Sequence, residues 1–436
     1  MHKPAKDQTR DNRIMKVNSN EMLPEGYKMT ELGALPEEWE LVRLGKATKT
    51  IKGRKPNYLS QSLQEKSIPY LTAEYFRTGI PSRFVLKEGN DFIEVGKDEI
   101  VFIWDGSNAG DVFIGLDGAL ASTMIKIIPD NFIYPKFLYY FLKTTYDFLN
   151  AKTTGSTIPH INKNLFNNLS FPLPPLPEQQ KIAAVLSAVQ EAKEKTQAVI
   201  DTTKALKKSM MKHLFTYGQV SPEETENVQI KETEIGKVPK DWEIVKLGEV
   251  AEISSGGTPS RKRNEYWIDG NISWIKSEQC HDCYISVANE YITDLGLENS
   301  SAKMLKKGTV LLAMVGATIG KTGFLTFEAC TNQNIAGIFS TNGLNNLFLY
   351  YALQSRYNEF EKIKGYGIAN LSYLRQFKIP LPPLPVQQKI ASILSAIDAK
   401  IEAEENKKQA LEELFKTLLD NLMTAKIRVN TLDVPI

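Results

Sequence analysis

The 436 residues are 42% hydrophobic and 24% charged, a globular balance with material for more than one domain. Lys and Arg outnumber Asp and Glu by only 53 to 51, so net charge argues for neither nucleic acid nor membrane and only local clusters can. Three cysteines, no apolar stretch near the N-terminus and no run approaching the roughly 18 apolar residues of a membrane span argue against a disulfide framework, secretion and membrane insertion; a reducing cytoplasm fits.

A polar tail over residues 1–27 precedes a first domain expected over 28–176. Its opening, Lys28–Gly45, reads KMTELGALPEEWELVRLG. Strands are predicted at Trp39–Leu44, Ile100–Trp104 and Thr123–Ile128, and a helix at Pro135–Leu149. A basic cluster of Lys49, Lys52, Arg54 and Lys55 stands just past the opening strand, before Asn57 and Tyr58. Two polar loops follow: one carries Asp105, Ser107 and Asn108, and the other, GSTIPHINKN, carries Ser156, His160, Asn162 and Lys163.

Pro172–Ala188 (PLPPLPEQQKIAAVLSA) closes the domain and leads into a helix predicted over 177–217. Ile182, Val185, Val189, Ala192, Thr196, Val199, Thr203, Leu206, Met210 and His213 keep a 3-4 spacing with no Gly or Pro among them. Pro177 suits a first helical turn and Tyr217-Gly218 a C-terminal cap. A helix of about 38 residues spans about 57 Å.

After a linker over 218–230, the pattern starts again. Lys231–Gly248 (KETEIGKVPKDWEIVKLG) matches the first opening at ten of eighteen positions, at an offset of 203. Pro380–Ala396 matches the first closing motif at fourteen of seventeen, at an offset of 208. The second domain is therefore expected over 231–384, with a strand at Val310–Met314 and a helix at Leu347–Lys362. A second long helix is predicted over 385–428, ahead of a tail over 429–436. Its seam runs Ile390, Ile393, Ile397, then polar Lys400, Glu404 and Lys407, then Leu411, Leu414 and Leu418. A polar break of this kind fixes register at some cost in stability, and Lys193 and Lys195 of the first helix are candidates to lie opposite it.

The chain is thus two copies of one unit. Between the anchors the copies share only a faint frame, which reads as one scaffold carrying two different recognition surfaces. The second copy also has a basic cluster after its opening strand: Arg261, Lys262 and Arg263, followed by Asn264, Tyr266 and Trp267 and preceded by Thr258 and Ser260 of SGGTPS. Lys and Arg beside Asn, Gln and aromatic residues supply phosphate anchoring and base-edge readout. A solvated loop uses the same residues; placement after the opening strand of both copies favours binding. Asn332 and Gln333, within Thr331–Asn334 (TNQN), are candidates by the same logic, with ordinary turn chemistry as the alternative.

Catalytic motifs are not apparent. Gly316–Thr322 (GATIGKT) has three residues between its glycines where a P-loop has four, and its counterpart Gly106–Asp111 ends in an acid. We read it as a β-turn-β loop, with Thr318 and Lys321 as ligand-facing candidates. Cys280-His281-Asp282-Cys283 lacks a second ligand pair, the nearest further cysteine being Cys330, so no metal is expected. Four histidines, His2, His160, His213 and His281, leave little imidazole for general-base work, and His213 falls on the helix seam. No G-x-S-x-G, H-E-x-x-H or Asn/Asp-Pro-Pro-aromatic sequence occurs.

The doubled K-x-T-E-[LI]-G-x-[LV]-P-x-[DE]-W-E opening, the doubled PLPPLPxQQKIA closing motif before a long helix, and the SGGTPS and GATIGKTG loops resemble the specificity subunit of type I restriction-modification systems. The resemblance covers about Lys28 to Arg428; the first copy departs from it with IKGRKP in place of SGGTP. It implies an α+β chain of two similar α/β target-recognition domains, separated by two long antiparallel helices forming a coiled coil, as a pseudo-two-fold repeat. It also implies a non-catalytic protein with no cofactor of its own, each domain reading one half of a split, asymmetric site in double-stranded DNA. The helices would set the spacer and dock two methyltransferase subunits, with Gln179, Gln180, Lys181, Gln387, Gln388 and Lys389 as partner-binding candidates. Restriction-translocase subunits would complete the complex, and S-adenosylmethionine and ATP would belong to those partners. The alternatives are a specificity subunit of a stand-alone or type II-like methylation system, a phosphate-binding enzyme using residues 316–322, and a coiled-coil adaptor that reads no DNA.

Overall fold

A computed structural model describes residues 23–89, 91–155, 157–341, 343–363 and 369–430. The described residues form two compact units: one holds those up to Thr196 together with those from Lys407 onward, and the other is Gln197–Asn406. Each unit takes part of both long helices; the second is one continuous stretch of sequence, and the first joins two segments far apart in it.

The conserved opening is a hairpin. In the first unit Tyr27–Thr30 pairs antiparallel with Gly33–Pro36, and in the second Ile230–Thr233 pairs with Gly236–Pro239. Its T-E-[LI]-G residues have a physical reason. Thr30 and Thr233 donate their hydroxyls to the Gly33 and Gly236 carbonyls at 2.8 and 2.7 Å. Those glycines sit at φ of 106° and 101°, where a side chain would be strained. The tryptophans that follow, Trp39 and Trp242, anchor the two main cores.

The opening and closing motifs are also partners. Glu40–Arg43 pairs antiparallel with Ser170–Leu173, and Glu243–Lys246 pairs with Lys378–Leu381, which joins the two conserved ends of each copy into one short sheet. The next step repeats as well. Gln179 accepts from the Tyr134 N–H and donates to the Phe132 and Pro174 carbonyls; Gln387 accepts from the Asn345 N–H and donates to the Gly343 and Pro382 carbonyls. Each glutamine pins the start of a long helix to its own domain.

The divergent middles are mixed α/β. The first holds an antiparallel sheet in the order Thr48–Lys52, Met124–Pro129, Ile100–Ile103, Val112–Ile114, beside a smaller four-stranded sheet. The second has five strands in the order Ala251–Ser255, Ile335–Ser340, Val310–Ala313, Thr322–Leu325, Cys283–Ile285, beside a three-stranded sheet. Pro135–Thr144 and Asn346–Ser355 are the equivalent helices, each followed by a shorter one where a single helix was predicted.

The long helices span Leu176–Tyr217 and Leu384–Met423, or about 63 and 60 Å. They run antiparallel within each unit. In the first, Lys181 Nζ donates to the Asn430 carbonyl and Lys193 lies over the Phe415 ring; in the second, Lys204 pairs with Glu405 and Lys207 with Asp398. The seam differs from the predicted one. After Thr196 it follows Ile200, Thr203, Lys207, Met210 and Leu214, leaving Val199 and Leu206 exposed. Burial of Leu214 and Phe215 in the second core sets that phase. In the other helix Ile401 and Phe415 take the places predicted for Lys400 and Leu414, and the polar break consists of buried Glu404, with Lys400 beside it at 2.5 Å, and half-buried Lys408 in place of Lys407. Lys193 lies over the Phe415 ring, and Lys195 pairs with Glu191 on its own helix. The second helix stops at Met423, short of the predicted 428, ahead of Ala425 at φ 55°.

Candidate nucleic-acid interface

In the first domain, three loops singled out separately in the sequence meet at one carboxylate. Asp105 accepts from Lys52 Nζ at 2.5 Å and faces His160 Nδ1 at 3.1 Å, and the backbones of residues 105 and 160 form an isolated β-bridge. The Asp105 side chain is only 20% exposed, so it holds both neighbours in fixed directions. Arg54 pairs with Asp91, which leaves Lys55, Asn57 and Lys163 as exposed donors on the same loops. Asn162 serves structure, since its side chain accepts from the Leu165 N–H at 3.1 Å and caps helix Lys163–Asn167. Asn370 caps the matching helix of the second domain. Ser107 is exposed, with its carbonyl taken by Asn150, and the Asn108 carbonyl accepts from Asp111 N. Ser156 lies outside the described residues.

The second domain builds its site from aromatics. The Arg261 guanidinium lies 3.5 Å from the Trp267 ring centroid and 5.0 Å from that of Trp274, and pairs with Glu290 at 2.5 Å. The two indoles meet edge-on at 5.0 Å, and their N–H groups donate to the Ser260 and Gly257 carbonyls. Lys276 closes the group as a second partner of Glu290. Burial works against the charged Glu290 carboxylate, but the hydrogen bonds from Lys276 and Arg261 outweigh it and hold the group below the usual carboxylate range. Arg261 is thereby a positioned residue, stacked and paired, while Lys262 is exposed and makes no ion pair among the described residues. Arg263 stands 5.5 Å from the Tyr266 ring and pairs with Glu265, and Asn264 opens a short 3₁₀ turn.

Thr258 donates its hydroxyl to Gln333 Oε1 at 2.6 Å, which brings the SGGTPS and TNQN loops together. Asn332 is buried and accepts from the Asn334 N–H, so it shapes the turn and leaves Gln333 exposed. Thr318 lies in the turn between two antiparallel strands, where its carbonyl accepts from Lys321 N. That hairpin setting is not the strand-to-helix turn of a phosphate loop, and Lys321 is paired with Asp282 at 2.7 Å. Cys280 is buried, and among the described residues no group of three or more His, Cys, Asp and Glu is placed to hold a metal.

Two positions that the sequence reading passed over organise both sites. Gly53 and Gly256 stand at the common offset of 203, and a Cβ on either would run into a carbonyl oxygen, of Ala121 or of Thr331. Buried Pro56 and Pro259 follow at the same offset. The IKGRKP and SGGTPS loops thus share a frame, and the two basic clusters are adjacent within it: Lys52–Asn57 matches 255–260, while Arg261–Asn264 matches 58–61. Trp274, Lys276 and Glu290 were missed. Trp274 and Lys276 carried a faint signal as an aromatic in a strand and a cation just past its end, and Glu290 carried none.

Burial also reassigns part of the expected docking motif. Gln179 and Gln387 are 1% exposed with their hydrogen bonds spent within the chain, which leaves neither for a partner. Gln388 and Lys389 are exposed, Gln180 is half-buried, and Lys181 reaches the Asn430 carbonyl.

Comparison with known proteins agrees with this duplicated build. Residues 36–202 and 239–413 each match the type I restriction modification DNA specificity domain. The chain is 36% identical over 423 residues to the type I restriction enzyme MjaVIII specificity subunit of Methanocaldococcus jannaschii, covering 94% of this chain and 97% of that one. It is 24% identical to the EcoR124I/EcoR124II specificity subunit of Escherichia coli, covering 68% and 72%. Its fold is similar to the crystal structure of the type I restriction-modification S subunit from M. genitalium, with a TM-score of 0.62 at 17% identity, covering 88% and 96%.

Proposed function

This chain belongs to the type I restriction-modification DNA specificity family, and on that premise we propose that it reads a split, asymmetric sequence in double-stranded DNA, one half per domain. It performs no catalysis itself. The reading includes two methyltransferase subunits docked on the long helices, restriction subunits completing the assembly, and a cytoplasmic setting. In it the long helices form one antiparallel coiled coil that sets the unread spacer, supported by the contacts Lys193 over Phe415 and Lys204 with Glu405.

The observation that carries the proposal is one backbone frame holding two unlike loop sets, Lys52–Asp105–His160 in one copy and Arg261–Trp267–Glu290 in the other. Arg, Lys and His donate to phosphates and guanine edges, and Asp or Glu accepts from cytosine N4, so different sets select different base pairs. Methylome sequencing of a host carrying this chain and its cognate methylase tests it. The expected motif has two dissimilar halves, and exchange of residues 249–377 for those of a relative changes one half alone. A continuous or palindromic motif would overturn the reading. Matched four-residue insertions after Ala198 and Lys408 add about 6 Å to each helix and lengthen the spacer without altering either half; an unchanged spacer rejects the ruler. With net charge of only +2, the isolated chain is expected to bind DNA weakly and gain specificity with the methylase.

A further inference from the structure

A hollow of about 700 Å³ lies within the second unit, between the long helix and the second domain, and its charge is explained by neither the frame nor the reading loops. Lys208 and Lys212 line it from the helix, Lys237 and Arg356 from the domain. Lys204, Lys207 and Lys321 also line it, but each is matched by a carboxylate: Glu405 at 2.6 Å, Asp398 at 2.7 Å and Asp282 at 2.7 Å. Among the described residues no carboxylate forms an ion pair with the other four. Arg356 is the most enclosed of these. Burial lowers its pKa against the attraction of Glu359 and Glu234, its guanidinium lies 5.0 Å from the Phe377 ring centroid, one Nη reaches the Ile235 carbonyl at 3.4 Å, and its buried Nε has no acceptor among the described residues. Cations gathered round one hollow repel one another, and a desolvated, incompletely bonded guanidinium adds to that cost unless an anion offsets it.

The first copy supplies an internal control. The shared offsets match Lys208 to Lys416, Lys212 to Asp420 and Lys237 to Ala34, and the equivalent helices match Arg356 to Thr145. Only one of the four is basic there, so the frame does not require the charge. Lys321, paired with Asp282, belongs both to the hollow and to the GATIGKT loop, so the hollow borders a loop of the candidate interface.

We propose that this hollow takes the phosphodiester backbone of duplex DNA beside the half-site read by the second domain, a clamp the first domain lacks. The inference rests on the DNA-reading function above and adds to it a sequence-independent contact. The test uses the full chain assembled with its cognate methylase, comparing wild type with a Lys208→Gln, Lys212→Gln, Lys237→Gln variant. All three side chains are exposed, so the variant keeps its packing. Log binding constant against log salt is measured on a duplex with the methylated motif and on an unrelated duplex. The expected result is a slope shallower by up to about 2.7, at about 0.9 per lost phosphate contact, on both duplexes, with the motif unchanged. The corresponding Lys→Arg variant keeps the wild-type slope, and Lys416→Gln in the first copy leaves it unaltered. An unchanged slope in the triple variant overturns the proposal while the bipartite motif still stands. Loss of methylase assembly with the slope intact overturns it too and assigns the hollow to an acidic protein surface. Absence of a bipartite motif in the wild type is instead a failure of the underlying reading.

Discussion

In the first half of the molecule, the closing motif carries Glu178, which accepts from the Trp39 indole at 2.9 Å and clamps Arg428 through both its oxygens at 2.7 and 2.8 Å. Arg428 also reaches Glu38, and its own pKa is raised chiefly by the Glu178 hydrogen bonds. In the second half the same position is Val386, whose carbonyl takes a hydrogen bond from Gln219. One residue further on, Gln179 and Gln387 make the same three bonds in both halves. The difference separates two kinds of necessity. A buried glutamine that satisfies backbone groups has no apolar substitute, whereas a buried ion pair exchanges for packing at little net cost.

The largest effect tests the divergent position. Arg428→Ala leaves the Glu178 carboxylate buried without its cation, at a cost of about 3–5 kcal/mol. Thermal unfolding of the full chain should show the first unit melting earlier and the second unmoved. Glu178→Val with Arg428→Met imitates the second half and should recover part of the loss. If Arg428→Ala costs under about 1 kcal/mol, the clamp is not what closes the first half. Next comes the shared position: Gln179→Leu and Gln387→Leu each strand one backbone donor and two carbonyls, at about 3 kcal/mol. The two losses should be equal, each in its own unit. Clearly unequal losses would mean that the copies no longer depend on the same pin.

Much of this frame was legible because the chain repeats it. Identities crowd where backbone geometry is fixed: the positive-φ glycines Gly33 and Gly236, the clamping threonines, and the prolines and glutamines of the closing motif. The helix seam was misread after Thr196 because two phases of a 3-4 pattern fit the sequence equally, and only burial of Leu214 and Phe215 selects one. Gln179 and Gln387 stand among the partner-binding candidates that the resemblance implies, because a sequence shows polarity without showing which carbonyls lie nearby. Convergence at Asp105 joins residues 52, 105 and 160, and Arg261 meets Glu290 only because strand Glu290–Ile292 pairs with Ile272–Ile275. Such juxtapositions belong to topology, which spacing does not encode.

A smaller effect separates the two recognition surfaces by pH. Glu290 is held below its ordinary pKa in the folded chain, so it contributes stability that is complete above the unfolded carboxylate value and is lost as pH falls through the lowered one. Fluorescence of the tryptophans beside Arg261 should report that loss on acidification. Glu290→Gln should remove the response and cost about 1 kcal/mol, given the partial exposure of the pair. A wild-type pH response that persists in Glu290→Gln would place its source elsewhere.

The smallest effect on folding belongs to Lys262, and it decides how the second domain divides its work. Arg261 is stacked on the Trp267 indole, with Trp274 at its side, and paired, whereas its neighbour is exposed and makes no ion pair among the described residues. Lys262→Gln should therefore change stability by less than about 0.5 kcal/mol yet weaken binding to every duplex and reduce the salt slope by about 0.9. Arg261→Lys should do the reverse, because an ammonium cannot reproduce the stacked, planar fork: the salt slope holds while discrimination at one base pair falls by roughly 1–3 kcal/mol. Lys55 in the first domain is the matching probe, exposed on the loop that follows Gly53, and Lys55→Gln should repeat the Lys262→Gln result. Equal salt slopes for wild type, Lys55→Gln and Lys262→Gln would move phosphate anchoring off both loops and leave them to base reading alone.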